Sequence, residues 1–542
     1  MHLSDYDLQQ LDEEALGGLS EAAARALLLK ILEDLIEARD RLNRNARNSS
    51  MPPSRQTPWE KPPIEGETAT ADEDVSSASQ PEADDTTDQL EAAESEPKGP
   101  AGEPTSEPAT QKPGGSASPL QASTEKRNPG KQPGALGVGR TQKLPISAEQ
   151  THAPDHCTIC GVPLDESVPS RPYTGRYEID LQAPDSGMSG IVLTNTKHIY
   201  LECECPDCGH WNRAQPGRAE AQEEWAVELT EWHLAGPMLV SFIVFLTTRM
   251  RLSRASTQEL LSVWLGLDLS VGVINQCVHE AGRAVEPVVQ EQIIPAVRAA
   301  EVVHADETSW SEHGALKWLW VFTCATASFF FVGSRQYWIV AHILGSMFDN
   351  WLMSDGYGAY RDFDRRLRCL THIVRKAKGL VESLDRRAQG FGQEVLDLLY
   401  AIMESVQQAR DGPPNAPLRQ LYEQKLAELF KSCVFHATCG HGKTQELARE
   451  LLNDWDTFWV VLDHPELPLT NNEAERALRH WVIARLISHG TRTSQGSRVF
   501  AYLASVIDTC RKRATNPWIY LAEVIKQRRK ELPAPALPVL AA

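Results

Sequence analysis

Three acidic residues stand in short strings whose composition suggests a shared chemical task. Asp306 follows an apolar run in the string Val-Val-His-Ala-Asp-Glu-Thr, and Asp355 lies where a strand-like step meets a glycine turn in Ser-Asp-Gly-Tyr-Gly. Glu475 belongs to a helical segment opened by asparagines, Asn-Asn-Glu-Ala-Glu-Arg. Two strand-end aspartates and a later helical glutamate predict an acidic pocket that holds two Mg²⁺ (or Mn²⁺) ions for phosphodiester chemistry.

These three acids are only one possible choice of candidates, because the chain contains 73 Asp and Glu residues. A single aspartate at a strand end is usually a turn or cap residue. Two ions about 3.5–4 Å apart need carboxylates that converge from different elements, with one carboxylate bridging both ions. Asp306, central in the predicted sheet, is the natural bridge. Neighbouring acids are interpreted as supporting groups or bystanders: Glu307, Asp349, Asp362, Asp364 and Glu473.

The sequence also holds two Cys-x-x-Cys pairs separated by 44 residues, and a glycine follows each pair as a knuckle turn requires. Four thiolates brought together by two tight turns are typical of a tetrahedral Zn²⁺ site without an open position. We therefore predict a structural zinc ion, with buried free thiols as the alternative. The predicted ligands are Cys157, Cys160, Cys205 and Cys208, and the residues that compete with them are Cys203, His156 and His210.

A sheet and a helix are needed to position the acids. The apolar runs predict three strands, a helix and a fourth short strand, in this order: Val302–Ala305, Trp318–Ala325, Ser328–Val332, helix 336–349 and a strand ending at Ser354. Carboxylates after the first and fourth strands match a ribonuclease H-like sheet. The predicted fold class is therefore multidomain α+β, with a ribonuclease H-like core (a mixed sheet with helices) that contains a large helical insertion.

Composition and periodicity divide the chain into eight segments. The predicted segments are a helix with a possible short coiled coil (1–50), a disordered linker that is acidic and then basic (51–150), a zinc-ribbon-like unit (151–215), a helical, helix-turn-helix-like DNA-binding region (216–300), the first part of the core (301–373), a helical insertion (374–468), the second part of the core (469–531) and a tail (532–542).

The N-terminal helix and the linker leave two choices open. A helix over residues 20–43, with Ser20 as its N-cap, carries apolar residues at coiled-coil spacing, so a dimer and docking onto the same chain are equally compatible with it. Residues 52–150 are too poor in aliphatic residues to offset the entropy of ordering. The basic end of this linker, residues 126–145, suits either DNA phosphates or a plain tether.

A helix-turn-helix is predicted ahead of the sheet. Two helices, Ser253–Leu265 and Val271–Val285, are separated by Gly-Leu-Asp-Leu-Ser, whose serine is placed to cap the second helix. Asn275, Gln276 and His279 would then face a DNA groove. A structural helix hairpin is the alternative, because no dense positive face accompanies the motif.

The net charge of −19 does not exclude a nucleic-acid partner. Fourteen acidic residues and one lysine lie in residues 65–107, whereas residues 471–530 hold twelve Lys and Arg against four acids. A local basic face of this kind suits phosphate contacts. The first thirty residues lack the apolar core of a signal peptide, and the longest apolar stretch, Pro237–Leu246, is too short to span a bilayer. We expect a cytoplasmic, nucleoid-associated protein without membrane contact, in a compartment that keeps its eleven cysteines reduced.

These strings together resemble the transposases of the insertion sequence 66 family, which are DDE-type recombinases. The core strings of the family are present as Asp-Glu-Thr (306–308), Asp-Gly-Tyr (355–357) and Asn-Asn-x-Ala-Glu-Arg-x-Leu-Arg (471–479). The resemblance extends to Asn-Ser-Ser-Met-Pro-Pro-Ser (48–54), to the paired cysteines and to Gly-Thr-Arg (490–492). It covers nearly the whole chain except the acidic part of the linker.

The resemblance implies Mg²⁺-dependent cleavage at the inverted-repeat ends of the element that encodes the protein, and joining of the freed 3′-hydroxyl to target DNA. The alignment with the family strings favours Glu475 over Glu473. Two side chains that are two positions apart on a helix point about 200° away from each other, so these two glutamates cannot both bind one metal pair. Implied partners are terminal inverted repeats, target DNA, further copies of the chain on DNA and co-encoded accessory proteins.

Several side chains are predicted to contact DNA beside the pocket. They are Arg476, Arg479, Arg485, Arg492 and Arg498, together with Asn275 and Gln276 of the helix-turn-helix. Arg476 is equally suited to pair with a surface acid such as Glu473. His372, in a His-centred string of the family, suits either DNA contact or helix packing. Two other functions stay open, namely a DNA-binding regulator with an idle catalytic core and a nuclease of the same fold.

Overall fold

The computed structural model describes residues 21–42, 145–182, 190–218, 225, 227–412, 414, 416–439 and 442–539. The chain divides into two units, residues 1–61 with 142–542 and residues 62–141. The second unit, most of the predicted linker and Ser20 lie outside the described residues. The predicted N-terminal helix is present as α1 (Glu21–Leu42). None of the described helices is long and apolar enough to cross a membrane.

The cysteine-bearing segment is built on a mixed sheet of four strands, β1 (Ala148–His152), β2 (Ser170–Leu181), β3 (Leu193–Glu204) and β4 (Trp211–Arg213). β3 pairs in parallel with β1 and antiparallel with β2 and β4. Residues 148–150, which were predicted to belong to the linker, form the start of β1 instead. The sequence Ala-Glu-Gln-Thr-His shows no apolar alternation, because almost all of this edge strand is exposed and backbone pairing with β3 holds it.

Helices follow this sheet. They are α2 (Pro237–Val244), a π-helical turn (Phe245–Arg249), α3 (Arg254–Leu265), α4 (Val271–Ala284), α5 (Glu286–Val288), a second π-helical turn (Val289–Ile293) and α6 (Ile294–Ala299). The helical region predicted for residues 216–300 begins later than expected, because Arg218 and Thr230 form a β-bridge and the first described helix of this region starts at Pro237. Pro237 disfavours helical backbone at the preceding residue, and Gly236 is accordingly extended, with ψ 167°.

The predicted helix-turn-helix helices are confirmed as α3 and α4. The Ser253 hydroxyl accepts the N–H of Ser256 at 3.0 Å, and the Ser270 hydroxyl accepts the N–H of Val273 at 3.2 Å. Between them, Gly266 ends α3 in the left-handed conformation at φ 62°. Local cap chemistry therefore sets both ends of the turn.

The second sheet has five strands. In chain order the elements are β5 (Val302–Glu312), β6 (Ala315–Thr323), β7 (Ser328–Gly333), α7 (Trp338–Leu344), β8 (Trp351–Ser354) and β9 (Arg366–Arg368). The strand order across the sheet is β7-β6-β5-β8-β9. β5, β6 and β7 pair antiparallel, whereas β5, β8 and β9 pair in parallel. The order of elements along the chain is the predicted one.

β5 is longer than predicted, so Asp306 is not a strand-end residue. Pairing with β6 continues past it, with Asp306 opposite Val321, because the hairpin ladder extends to Glu312. On its other edge, however, β5 pairs with β8 only from Val302 to His304. Asp306 therefore lies just beyond the parallel ladder, at the same edge as the residue that follows β8.

Helices complete the described chain. They are α8 (Leu370–Val381), α9 (Arg386–Asp411), α10 (Leu418–Cys439), α11 (Gly442–Asn453), α12 (Trp455–Trp459), α13 (Asn472–Ser488), α14 (Ser494–Lys512) and α15 (Pro517–Arg529). One hydrophobic core joins α2–α6 to the five-stranded sheet and α13–α15, and another joins β8 and β9 to the helices between residues 370 and 462. The insertion thus has a core of its own, anchored on the edge of the sheet that carries Asp355.

A half-buried carboxylate connects the first sheet to the helical region. Asp180, near the end of β2, accepts the backbone N–H groups of Leu239 at 2.7 Å and Leu181 at 2.9 Å. A Cβ on Gly236 would lie 2.2 Å from the Asp180 carboxyl carbon, so this approach needs a glycine. Desolvation raises the pKa of Asp180 from 3.8 to about 6, against the effect of the two amide donors.

This pKa predicts how stability depends on pH. Because the folded-state pKa lies above the unfolded value, the folded protein binds this proton more tightly. The free energy of unfolding should therefore fall by up to about 3 kcal/mol as pH rises from about 4 to 6, and change no further above that range. Asp180→Asn, which cannot titrate, should lack this component in urea denaturation series across the same pH range. Parallel pH profiles for the two proteins would contradict it.

Candidate active site

Asp306 and Asp355 lie at one edge of the five-stranded sheet. Asp306, in β5, accepts the backbone N–H of Glu307 at 2.8 Å, and Asp355, directly after β8, accepts that of Tyr357 at 2.9 Å. Both residues are half-buried. Desolvation and the carboxylates of Asp355 and Glu307 raise the pKa of Asp306 well above its usual range. The carboxylates of the two aspartates are therefore close enough to interact electrostatically.

Glu475, on α13, faces the basic side of α8. Its Oε1 lies 3.9 Å from His372 Nε2, and its Oε2 lies 3.5 Å from Arg375 Nη2. Oε1 is buried without a hydrogen-bond partner among the described residues. Glu473, two residues earlier, forms an ion pair with Lys512 on α14 instead. The two glutamates thus point to different partners.

His372 connects Glu475 to the aspartates. Desolvation lowers the pKa of His372, but Cys369, Glu475 and Asp355 outweigh this effect and raise it to about 9. His372 thus lies beside Glu475, and Asp355 also acts electrostatically on it. Its role in the sequence was left open between DNA contact and helix packing, and its contact in the structure is with the acidic site.

The three acids do not form a preassembled ligand set. Glu475 belongs to a group with Cys369 and His372 in which potential ligand atoms all lie within 4.8 Å of one another, and neither Asp306 nor Asp355 is part of that group. A cation site that uses all three acids would require the Glu475 side chain to turn from α8 toward the aspartates.

A buried asparagine links the segments that carry the three acids. Asn471 donates its side-chain N–H to the carbonyl of Ala305 at 2.9 Å, and its Oδ1 lies 3.1 Å from His304 Nδ1. Its backbone N–H donates to Cys369 Sγ at 3.2 Å. The N–H of Cys369 in turn donates to the carbonyl of Ser354 at 3.1 Å. We call this set the Asn471–Cys369 latch.

The latch forms hydrogen bonds to the residues that immediately precede the two aspartates. Ala305 precedes Asp306 and Ser354 precedes Asp355, while Asn471 accepts the N–H of Glu475 at 3.2 Å in the first turn of α13. The sequence pattern indicated only that the asparagine pair opens a helix. The Asn471 side chain does not cap the helix but turns inward. The one hint in the sequence was the second asparagine, because a single asparagine is enough to cap a helix.

Glu307 holds the loop that carries Asp355. Its buried carboxylate accepts the Tyr360 hydroxyl at 2.6 Å and Arg335 Nη2 at 2.8 Å. The Arg335 guanidinium also stacks over the rings of Trp318, at 4.1 Å, and Tyr357, at 4.0 Å. Desolvation, with Asp355 nearby, raises the pKa of Glu307 to about 7. Glu307 thus joins β5 to the loop after β8 and is fully engaged by protein groups.

The predicted DNA-contacting residues fall into two sets. Arg476, Arg479, Arg492, Asn275 and Gln276 are exposed. Arg485 and Arg498 instead contact other side chains of the protein. These are tertiary contacts, which the sequence does not reveal. Arg485 donates to Thr308 Oγ1 at 2.9 Å, and Arg498 stacks over Trp225 at 5.1 Å.

The Gly-Thr-Arg string binds the far end of β5. Gly490, at φ 90°, approaches so closely that a Cβ would lie 2.0 Å from the Ser311 carbonyl oxygen. Thr491 donates its N–H to the Ser311 carbonyl at 2.9 Å and accepts that of His313 at 2.8 Å. This string therefore fixes the connection between α13 and α14 on the strand that carries Asp306.

The four predicted zinc ligands converge. The sulfur atoms of Cys157 and Cys208 are 3.5 Å apart, as are those of Cys160 and Cys205, and all four lie within 4.8 Å of one another. Tetrahedral Zn–S bonds of about 2.3 Å place sulfurs about 3.8 Å apart, so the cluster fits Zn²⁺. The glycine after each pair has φ near +70°, as a knuckle turn requires. The competing residues Cys203, His156 and His210 lie outside this group.

Comparison with known proteins identifies a family. Residues 233–499 match the model described as the transposase IS66 family, as the sequence strings predicted. The uncharacterized protein y4jO of Sinorhizobium fredii is 26% identical over 179 residues, which cover 33% of this chain and 53% of that protein. The uncharacterized protein y4qI of the same organism is 23% identical over 320 residues, 52% of this chain and 58% of that protein. The chain spans about half the length of these relatives.

The cysteine cluster predicts the metal content of the protein. Purified protein should contain one zinc per chain by mass spectrometry, and Cys160→Ser or Cys208→Ser should remove it, because three thiolates leave the tetrahedral site open. Cys439→Ser is the matched control, since Cys439 is exposed like Cys160 and Cys208 but lies on α10. Cys203→Ser should also retain zinc. Loss of zinc from either control, or its retention in both cluster variants, would contradict the assignment.

The latch predicts a stability difference between two adjacent asparagines. Asn471→Ala leaves the Ala305 carbonyl and His304 Nδ1 without their partner, which should lower the free energy of unfolding by about 2–4 kcal/mol. Asn472→Ala, at the neighbouring exposed position, should cost much less. Urea denaturation followed by tryptophan fluorescence measures both values. Equal destabilisation by the two substitutions would show that the latch has no special role.

Proposed function

We propose that this protein, whose residues 233–499 form a domain of the IS66 transposase family, cuts DNA at the inverted-repeat ends of its own insertion sequence and joins the freed 3′ ends to target DNA. One observation carries the proposal. The Asn471–Cys369 latch connects the residues that precede Asp306 and Asp355 to the first turn of the helix that carries Glu475. The latch thereby ties together the three segments that carry the acids, which supports a shared site.

The sheet supports the same reading. Its order β7-β6-β5-β8-β9, antiparallel on one side of β5 and parallel on the other, is the arrangement expected of a ribonuclease H-like core. Asp306 then lies on the central strand and Asp355 after its parallel neighbour. The large helical insertion separates Asp355 from Glu475 along the chain, and both carboxylates act electrostatically on His372, which supports their sharing a site.

The donor set fits divalent cations. Asp306, Asp355 and Glu475 would hold Mg²⁺ or Mn²⁺, because carboxylate oxygens are the ligands these ions prefer. The bound ions would supply an activated water or 3′-hydroxyl and neutralise charge on the leaving oxygen. The raised pKa of Asp306 reflects repulsion and desolvation that a cation would relieve. The unpartnered Oε1 of Glu475 is a further free ligand atom.

Other residues of the chain prepare the site. Glu307 and Arg335 fix the loop that begins at Asp355, and His372 and Arg375 orient the Glu475 carboxylate. None of these four would have to bind a cation. Their task is to fix the segments that carry the acids, while the Glu475 carboxylate would turn from α8 toward the aspartates when cations bind.

The DNA surface consists of two parts in this proposal. Exposed arginines of α13 and the following connection, among them Arg476, Arg479 and Arg492, would contact phosphates. Asn275 and Gln276, exposed on α4, would reach base edges of the inverted repeat. Further copies of the chain and co-encoded accessory proteins would complete the assembly on the two ends.

The proposal predicts which acids are indispensable. With Mg²⁺ and DNA that carries the inverted-repeat ends flanking the gene, the protein should form joined products. Asp306→Asn, Asp355→Asn and Glu475→Gln should each lower the joining rate at least about 100-fold while leaving DNA binding intact, because each removes a cation ligand. Glu473→Gln is the matched control on the same helix turn, since Glu473 pairs with Lys512.

The products also separate the alternatives. Cleaved but unjoined ends would identify a nuclease, and binding without either product would identify a regulator. Joining activity that survives substitution of any one of the three acids would refute the role of that residue.

A further inference from the structure

Two arginines share one histidine acceptor outside the acidic site. Arg249 Nη1 and Arg251 Nη2 each lie 2.9 Å from His480 Nδ1. On the opposite side of the ring, His480 Nε2 lies 3.2 Å from the carbonyl oxygen of Thr248. Since an arginine can only donate, Nδ1 is the acceptor and Nε2 carries the proton. His480 is therefore an uncharged support for two guanidinium groups.

A third arginine adds to the positive charge. Desolvation lowers the pKa of His480 to about 4, and the charges of Arg249, Arg251 and Arg511 act in the same direction. Arg249 has its own pKa lowered by desolvation, and by Arg511 and Arg251. Arg249 and Arg251 meet at one nitrogen of His480 and have no ion-pair partner among the described residues, so their like charges repel each other. The cluster therefore has the electrostatic character of an anion site.

The described part of the chain supplies no carboxylate partner for these arginines. No ion pair there involves Arg249, Arg251 or Arg511. Of the acids nearby, Glu473 pairs with Lys512. Desolvation raises the pKa of the Asp508 carboxyl, and the charges of Lys512 and Arg511 act against this effect without forming an ion pair with it among the described residues.

Donors remain available in the cluster. A guanidinium carries five N–H donors, and the hydrogen bond to His480 is the one that each of Arg249 and Arg251 makes through its side chain among the described residues. The Nε of Arg251 is buried without a partner there. Arg251 also has φ 60°, an unfavourable conformation for a residue with a side chain. An unfavourable backbone and an unpartnered donor at one residue point to a ligand that is part of the working state.

The cluster joins the helix-turn-helix to the catalytic helix. Arg249 and Arg251 lie between α2 and α3, directly ahead of the helix-turn-helix. His480 lies on α13 five residues after Glu475, and Arg511 lies in the last turn of α14. The cluster therefore connects the segment that precedes the helix-turn-helix to the helix that carries Glu475.

We infer that Arg249 and Arg251 form a binding site for a backbone phosphate of DNA, with His480 as the neutral residue that holds the two guanidinium groups in place and Arg511 as a further positive charge. The inference rests on the proposed function, since it takes DNA as the ligand. Arginine forks match phosphate oxygens in geometry and charge. The site would fix the position of the duplex between the helix-turn-helix and the acids without reading its sequence.

The test is the salt dependence of DNA binding by the full chain. Arg249→Gln/Arg251→Gln should weaken binding of a random-sequence duplex about tenfold at low salt and reduce the slope of log K against log [salt] by about 1, measured by fluorescence anisotropy from 50 to 200 mM salt. Arg386→Gln/Arg387→Gln is the matched control, with the same change in charge at exposed positions of α9. It should leave the slope unchanged.

A second variant covers the case in which the double variant misfolds. Arg511→Gln removes an exposed side chain that does not hydrogen-bond to His480, and it should also lower the slope. An unchanged slope in the folded variants, or an equal decrease in the Arg386/Arg387 control, would overturn the inference. Failure of the proposed function looks different, because a wild-type protein that binds DNA but never joins ends would leave the salt dependence of the arginine variants intact.

Discussion

The candidate site depends on one buried amide group. Asp306 and Glu475 are separated by more than 160 residues of chain, and carboxylates repel each other when they are brought together. Asn471 offers a donor and an acceptor at a fully buried position, and both are used, by the Ala305 carbonyl and by His304. A satisfied buried polar group specifies one arrangement more sharply than apolar packing does, since every alternative leaves it without a partner. Through Cys369 the same amide also reaches the residue before Asp355.

Around this latch the protein holds several carboxylates close together although their negative charges repel one another. Glu307 is enclosed by Arg335 and Tyr360, while Glu475 is drawn toward His372 and Arg375. Asp306 is left with desolvation and like charges that raise its pKa. Cations in the proposed site would remove this imbalance and compete with α8 for Glu475. The latch thus explains how the segments meet, and the unbalanced charges explain what the site would bind.

Local chemistry made much of this architecture predictable. Serine caps and a left-handed glycine define α3 and α4, and a glycine turn ends β8 next to Asp355. The cysteine spacing anticipated the thiol cluster. Features that depend on tertiary contacts were not predictable, because no local pattern encodes them. Examples are the extension of β5 by its pairing with β6, the inward turn of Asn471, and the use of Arg485 and Arg498 for packing. The exposed strand β1 lacked any apolar pattern that could have signalled it.

The most direct test of the account is cleavage of the protein by a metal bound at the site. Fe²⁺ takes the place of Mg²⁺ in carboxylate sites, and with ascorbate and peroxide it generates radicals that cut nearby backbone. If Asp306, Asp355 and Glu475 hold cations together, cuts should appear near residues 306, 355 and 475 in the same sample and disappear together with excess Mg²⁺. Cuts at only one of these positions, or cuts that Mg²⁺ does not suppress, would contradict a shared site.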